Sequence, residues 1–140
     1  MIEQWDKPFA IKGILSVEDA KMAVEVGASA VMVSNHGGRQ LDGCPAPIEV
    51  IGDIVDAVGD KLEVILDGGI RRGTHILKGL AMGAKACMGG RSYLYGLAAG
   101  GEEGAYRSLN LLKNEVENNM ILLGCKNVSQ ISAKHLRKWR

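Results

Sequence analysis

Short apolar runs rich in branched residues alternate along the chain with stretches whose apolar positions recur at helical spacing. Residues 8–14 form the first run and read as a strand whose end carries Lys12-Gly13. Ser16 then stands where a helix N-cap belongs, with Asp19 three positions on. The helix it opens is predicted to run to about Val26 and stop at Gly27. Ala30–Val33 is the second apolar run, followed by a polar, glycine-rich loop over 34–45. Pro47 suits a helix first turn, Ile48, Ile51, Val55 and Val58 keep helical spacing, and Gly59 ends the segment. Residues 62–66 read as the third strand and enter the turn Asp67-Gly68-Gly69. Thr74 is placed to cap a third helix with Ile76, Leu77, Leu80 and Ala81 as its apolar face, stopped by Gly83. Ala86–Met88 lies in the fourth strand, and Gly89-Gly90 opens onto 92–98. A long last helix is predicted over 102–123, with a basic tail from Lys126 that includes Lys134, Arg137, Lys138 and Arg140.

Part of this pattern is a repeat. The stretch from Val26 through Gly27-Ala28-Ser29-Ala30-Val31 to Met32 returns as Met82 through Gly83-Ala84-Lys85-Ala86-Cys87 to Met88. Lys12-Gly13 and Asp67-Gly68 end the two preceding strands at nearly the same offset. A β-α-β-α unit therefore occurs twice, and helices between successive strands imply a parallel sheet with right-handed crossovers. Strands apolar on both faces agree, because parallel sheets are covered on both sides. Four β/α units are half the eight of a closed barrel, which typically needs ~250 residues. The predicted fold is thus α/β, the C-terminal half of a (β/α)8 barrel, in a single domain over 1–140 with a leader over 1–7 and the tail over 126–140. A small, open, doubly wound sheet shares the same element order and is the alternative.

Composition narrows the function classes. Apolar residues are 46% and charged residues 24% of the 140, enough for a buried core, and aromatics are few, so that core is expected to be aliphatic. Seventeen basic side chains against sixteen acidic ones give a net charge of +1, which offers no support for a nucleic-acid or anionic-membrane partner. No apolar stretch approaches the ~18 residues of a membrane span. Residues 1–12 carry acids and lack the apolar run of a signal peptide, so a cytoplasmic location is expected. Cys44, Cys87 and Cys125 form no C-x-x-C pair and have no zinc spacing with histidine, so neither a metal site nor a disulfide framework is expected. Glycine stands out, at 19 residues clustered in a few places. Such clusters mark tight turns and close backbone approach.

Ligands of parallel α/β folds bind at the carboxyl ends of the strands, and the polar residues fall there. Lys12 ends the first strand, Ser34-Asn35-His36 the second, Asp67 the third and Gly90-Arg91 the fourth. In the loop from Ser34 to Asp42, His36 and Arg39 can place a proton acceptor beside a bidentate carboxylate clamp. A lone loop histidine also fits a structural or merely exposed role. Asp67-Gly68-Gly69-Ile70-Arg71-Arg72-Gly73 and Gly89-Gly90-Arg91 supply backbone amides and arginines, which suit a phosphate if these follow barrel strands seven and eight. Turns with surface arginines would carry the same residues.

Lys12-Gly13-Ile14, the run S-N-H-G-G-R-Q-L-D from Ser34, the run D-G-G-I-R-R-G-T from Asp67, and Gly90-Arg91 together resemble the FMN-dependent α-hydroxy acid dehydrogenases and oxidases. That family includes glycolate oxidase, lactate oxidase and bacterial L-lactate dehydrogenases. The likeness extends from about Pro8 to Ile131. The second of these runs is its most specific mark; the third is shared with other flavin and phosphate-binding barrels. The resemblance implies FMN as cofactor and oxidation of a 2-hydroxy acid, L-lactate-like, to a 2-oxo acid. It implies that His36 is the base, that His36 and Arg39 hold the substrate, and that Arg39 clamps its carboxylate. It further implies that Lys12 sits by the flavin N1–O2 edge, that Ser34 touches the isoalloxazine, and that Asp67, Gly68, Gly69, Ile70, Arg71, Gly90 and Arg91 bind the ribityl chain and phosphate.

The family also implies an N-terminal half with four further strands, which supplies substrate-contacting tyrosines and an Asp that pairs with the catalytic His. His75 stands where the family usually has Asp, and Ser92 where Pro usually follows Gly-Arg. Two readings follow. In the first, the chain is an enzyme component that pairs with a separately encoded N-terminal half. In the second it is a folded, non-enzymatic remnant that dimerises through its open sheet edges.

Overall fold

The computed structural model describes residues 4–137. Met1 to Glu3 of the predicted leader, and Lys138 and Arg140 of the predicted tail, lie outside the described residues. Eight principal elements alternate: β1 (Ala10–Ile14), α1 (Val17–Glu25), β2 (Ala30–Val33), α2 (Pro47–Val58), β3 (Glu63–Asp67), α3 (Gly73–Ala81), β4 (Ala86–Met88) and α4 (Arg91–Leu122). The strands form one parallel sheet in the order β1-β2-β3-β4. A doubly wound sheet reverses its strand order at a switch point. This one never reverses, so it is a four-unit arc of a (β/α)8 barrel and not a small open sheet of that kind.

The sheet is aliphatic, as the composition required. Val31, Val33, Ile51, Ile54, Val58, Val64 and Leu66 are fully buried where α1 and α2 cover β1–β3. Cys87 joins this packing, and burial pushes its thiol up to about 11, so it serves as a small apolar group. A second cluster joins α3 to α4 and to the segment beyond it through Leu77, Ala81, Cys125 and Ile131. Ile131 is therefore buried inside what reads, by charge alone, as a solvated tail, and short helical turns at Val128–Gln130 and Ala133–His135 shape it.

Several element ends differ from the sequence pattern. Ser16 does cap α1, its side chain accepting from Asp19 N. By contrast, α3 begins at Gly73 with Arg72 as its cap residue, so Thr74 lies inside the first turn. The Gly73 N–H is taken instead by Glu115 Oε2 of α4 at 2.6 Å, which removes the need for a side-chain cap. Strand β3 starts one residue late because Leu62 N bonds back to Val58 O as α2 unwinds. The segment 92–98 and the helix expected over 102–123 form one helical element broken at Gly100-Gly101, where Gly101 has φ 59° and ψ −145°.

Candidate active site

The carboxyl ends of all four strands border one cleft of about 780 Å³. Lys12, His36, Arg39, Asp67, Gly68, Gly69, Ile70, Arg71, Gly90 and Arg91 line it, so ten of the eleven residues singled out in the sequence converge on one place. The eleventh, Ser34, lies beneath them and is 1% exposed. Its Oγ accepts from Lys12 Nζ at 3.0 Å and from the His36 backbone N–H at 3.1 Å, and donates to Asp67 Oδ2 at 2.7 Å. Lys12 Nζ reaches the same carboxylate oxygen at 2.7 Å. One hydroxyl thus ties together the ends of β1, β2 and β3.

This network sets the charge state of Asp67. Burial alone would raise its carboxyl; hydrogen bonds from Lys12 and Ser34, with the charges of Lys12 and His36, outweigh that and hold it below the usual carboxylate value. The cleft floor is therefore a bound ion pair and not a neutral acid.

His36 is held in an unusual backbone conformation, with φ 55°, where a side chain costs on the order of 1 kcal/mol or more. Asn35 supports that turn: its Oδ1 accepts from Gly37 N at 3.0 Å, and its Nδ2 donates to Pro45 O at 3.3 Å. Room for the imidazole comes from Gly13, where an added Cβ would lie 2.6 Å from His36 Nε2. Arg91 reaches from the end of β4 to this loop, donating from Nη2 to Gly37 O at 3.2 Å. Arg39 lies exposed on the rim.

The far end of the cleft is built for an anion. Gly69 turns with φ 72°, and a Cβ on Gly69 or Gly90 would meet nothing within 4 Å, which leaves an open backbone cradle between β3 and β4. Ser92, in the first turn of α4, has a buried Oγ without a hydrogen-bond partner. It lines a smaller cavity next to the cleft with Arg71 and Arg91, and an orphan donor beside two guanidinium groups is a chemical fit for phosphate oxygens. The cradle and the Lys12 ammonium suit a flat, phosphate-bearing cofactor such as FMN.

Arg72 takes no part in this end. It pairs with Glu115 at 2.7 Å, and the Gly73 N–H followed by Arg72 draws the Glu115 carboxyl below its ordinary value. Tyr93, Leu94, Tyr95, Gln40 and Met88 complete the cleft and were not anticipated. The available signal was the placement of two of the chain's three tyrosines, in a chain with few aromatics, just after Gly90-Arg91.

A barrel arc that gathers a histidine, an ion pair, arginines and an open glycine cradle at the carboxyl ends of its strands defines a half-barrel with a cofactor-sized site. The comparisons agree with that class. The chain belongs to the FMN-dependent dehydrogenase family, whose model it matches over residues 1–138. It is 50% identical over 129 residues to pre-mycofactocin synthase of Mycolicibacterium smegmatis, covering 92% of this chain and 32% of that protein. It is 52% identical over 131 residues to 2-hydroxyacid oxidase 1 of Mus musculus, covering 94% of this chain and 35% of that one. Among solved structures it superposes on mandelate oxidase with a TM-score of 0.90 at 48% identity, over 94% of this chain and 40% of the other. The chain spans about a third of the length of these curated relatives.

Proposed function

We propose that these residues form the FMN-binding and substrate-binding part of an oxidoreductase that converts a 2-hydroxy acid, of the L-lactate type, to the 2-oxo acid. The convergence of His36, Arg39 and Lys12 with the glycine cradle in one cleft carries this reading. Bound FMN supplies an acceptor for two electrons. Arg39 clamps the substrate carboxylate with its planar pair of donors. His36 accepts the proton that the substrate gives up, in whichever order proton and electrons leave. Lys12, held in place by Asp67 from below, presents its ammonium where electron density would collect on the cofactor. Ser34 acts through its neighbours by fixing Lys12, Asp67 and the His36 backbone. Asp67, Gly68, Gly69, Ile70, Arg71, Gly90 and Arg91 hold the ribityl chain and phosphate.

Purified protein mixed with FMN should keep the flavin's yellow absorbance through desalting. Colourless protein that takes up no FMN would overturn the binding claim.

The substrate side chain is read elsewhere in the barrel. Relatives about 50% identical to this chain carry names as different as 2-hydroxyacid oxidase and pre-mycofactocin synthase.

A second reading, a folded segment without turnover of its own, is favoured by the edges of the sheet. β1 and β4 are each bonded on one side only. A parallel, apolar edge invites pairing. A separate N-terminal half or a second copy of this chain would supply the missing strands, and two copies could close eight strands about a two-fold axis. Sizing at micromolar concentration should then give about twice the 14.9 kDa of one chain, or a complex with added N-terminal half. A monomer that ignores the added half would exclude both pairings. Placement in the cytoplasm belongs to this proposal as well; among the described residues, no helix is long and apolar enough to cross a membrane.

A further inference from the structure

The loop after β3 contains a contact that the proposed chemistry leaves unused. His75, in the first turn of α3, is half-buried and turns back toward the loop. Its Nδ1 lies 3.0 Å from the carbonyl oxygen of Gly69 and 3.3 Å from the backbone nitrogen of Arg71. One ring nitrogen cannot serve both. With a proton on Nδ1 it donates to Gly69 O, and the Arg71 N–H is left free. Without that proton it accepts from the Arg71 N–H and turns a lone pair toward Gly69 O. The neutral ring can adopt either form, whereas the imidazolium allows only the first.

We propose that His75 is a positioning residue, a proton-operated latch whose neutral ring, protonated on Nε2, holds the Arg71 amide and whose imidazolium turns to Gly69 O and releases that amide to a bound anion. The inference rests on the reading of Gly68–Arg71 as a phosphate site and adds a control over it. Both consequences of protonation act in one direction, because the freed N–H and the added positive charge each favour an anion. Anion affinity therefore rises as the ring gains its proton, and by reciprocity a bound anion favours the protonated ring.

The surrounding charges divide. Glu115, facing His75 from α4, favours the cation and feels its charge. Arg71 and Arg72 on the loop, together with the amino end of α3, oppose it. Lys78 follows one turn along α3, and Lys134 and His135 belong to the turn packed on that helix; Thr74, Lys78 and His135 border a small cavity there. Cys87 of β4, bonded to Ile76 O, stays a neutral thiol because burial raises it to about 11.

Sulfate is the first probe, because its charge stays constant across the range of about pH 5 to 8 where imidazoles change theirs, whereas a phosphate monoester titrates within it. Wild-type protein should bind sulfate more tightly at the acid end. His75→Asn keeps a polar group near the Nδ1 position but cannot titrate, and should lose about fivefold of that pH dependence, the scale of one exchanged hydrogen bond. The second readout needs no variant: the amide resonance of Arg71 should follow the His75 ring through its titration. An Arg71 amide indifferent to the state of the ring overturns the latch, as does a sulfate profile identical in wild type and His75→Asn. Wild type that binds neither sulfate nor FMN overturns the phosphate-site reading instead, while the Arg71 resonance still decides the latch.

Discussion

Replacing His36 by alanine is expected to lower 2-hydroxy acid oxidation by about 10²- to 10⁴-fold, the range a positioned general base contributes. The suitable holoenzyme is a chimera in which this chain replaces the matching segment of mandelate oxidase, on which it superposes with a TM-score of 0.90. The effect should fall on turnover and leave FMN absorbance in place, because His36 borders the cleft from the β2 loop while the glycine cradle lies beyond β3 and β4. Substrate binding should weaken far less, since the clamp proposed for Arg39 is left in place. A chimera whose rate is unchanged by His36→Ala would remove the histidine from the mechanism. The size of the loss also reports on the backbone. A residue kept at φ 55° with Gly13 cleared away from its ring is held in place by its surroundings, and that holding is what a base needs in order to meet a proton within hydrogen-bond reach.

The same residues show what a sequence can and cannot disclose here. The strands and helices were legible because aliphatic runs are long enough to set a period and because Gly27, Gly59 and Gly83 interrupt them. The glycine-rich runs at the strand ends were legible because each site contribution is contiguous, so the strand order alone brings Lys12, His36, Asp67 and Arg91 together. Thr74 misled, since a capping residue was inferred where a carboxylate 42 positions away satisfies the helix start. Glu115 looks like any exposed acid of a long helix. Tyr95 reaches the cleft only because α4 begins at its edge. Ser34 was visible as a member of a motif, but its burial beneath the cleft floor was not. Contacts between distant segments decide all of these, and neither period nor composition records them.

Ser34→Ala should cost about 2–3 kcal/mol in urea unfolding, more than most serine-to-alanine changes, because one buried oxygen meets three partners. The His36 N–H loses its acceptor outright, and with it part of the support for the strained turn. Asp67 loses one of the two hydrogen bonds that keep it ionised, although Lys12 remains within 2.7 Å, so the loss is smaller than for breaking the pair. The acid response gives the sign. Asp67 titrates lower in the folded chain than an ordinary aspartate, so its contribution is complete above the ordinary value and is lost as pH falls through the lowered one. Without the Ser34 donor the folded value rises, and acid unfolding should begin at higher pH in Ser34→Ala than in wild type. A variant as stable as wild type, with an unmoved acid limb, would mean that the hydroxyl merely fills space. Lost stability joined to an upward shift of that limb would instead show the serine holding the carboxylate ionised, and through it the ammonium and the base in the cleft above.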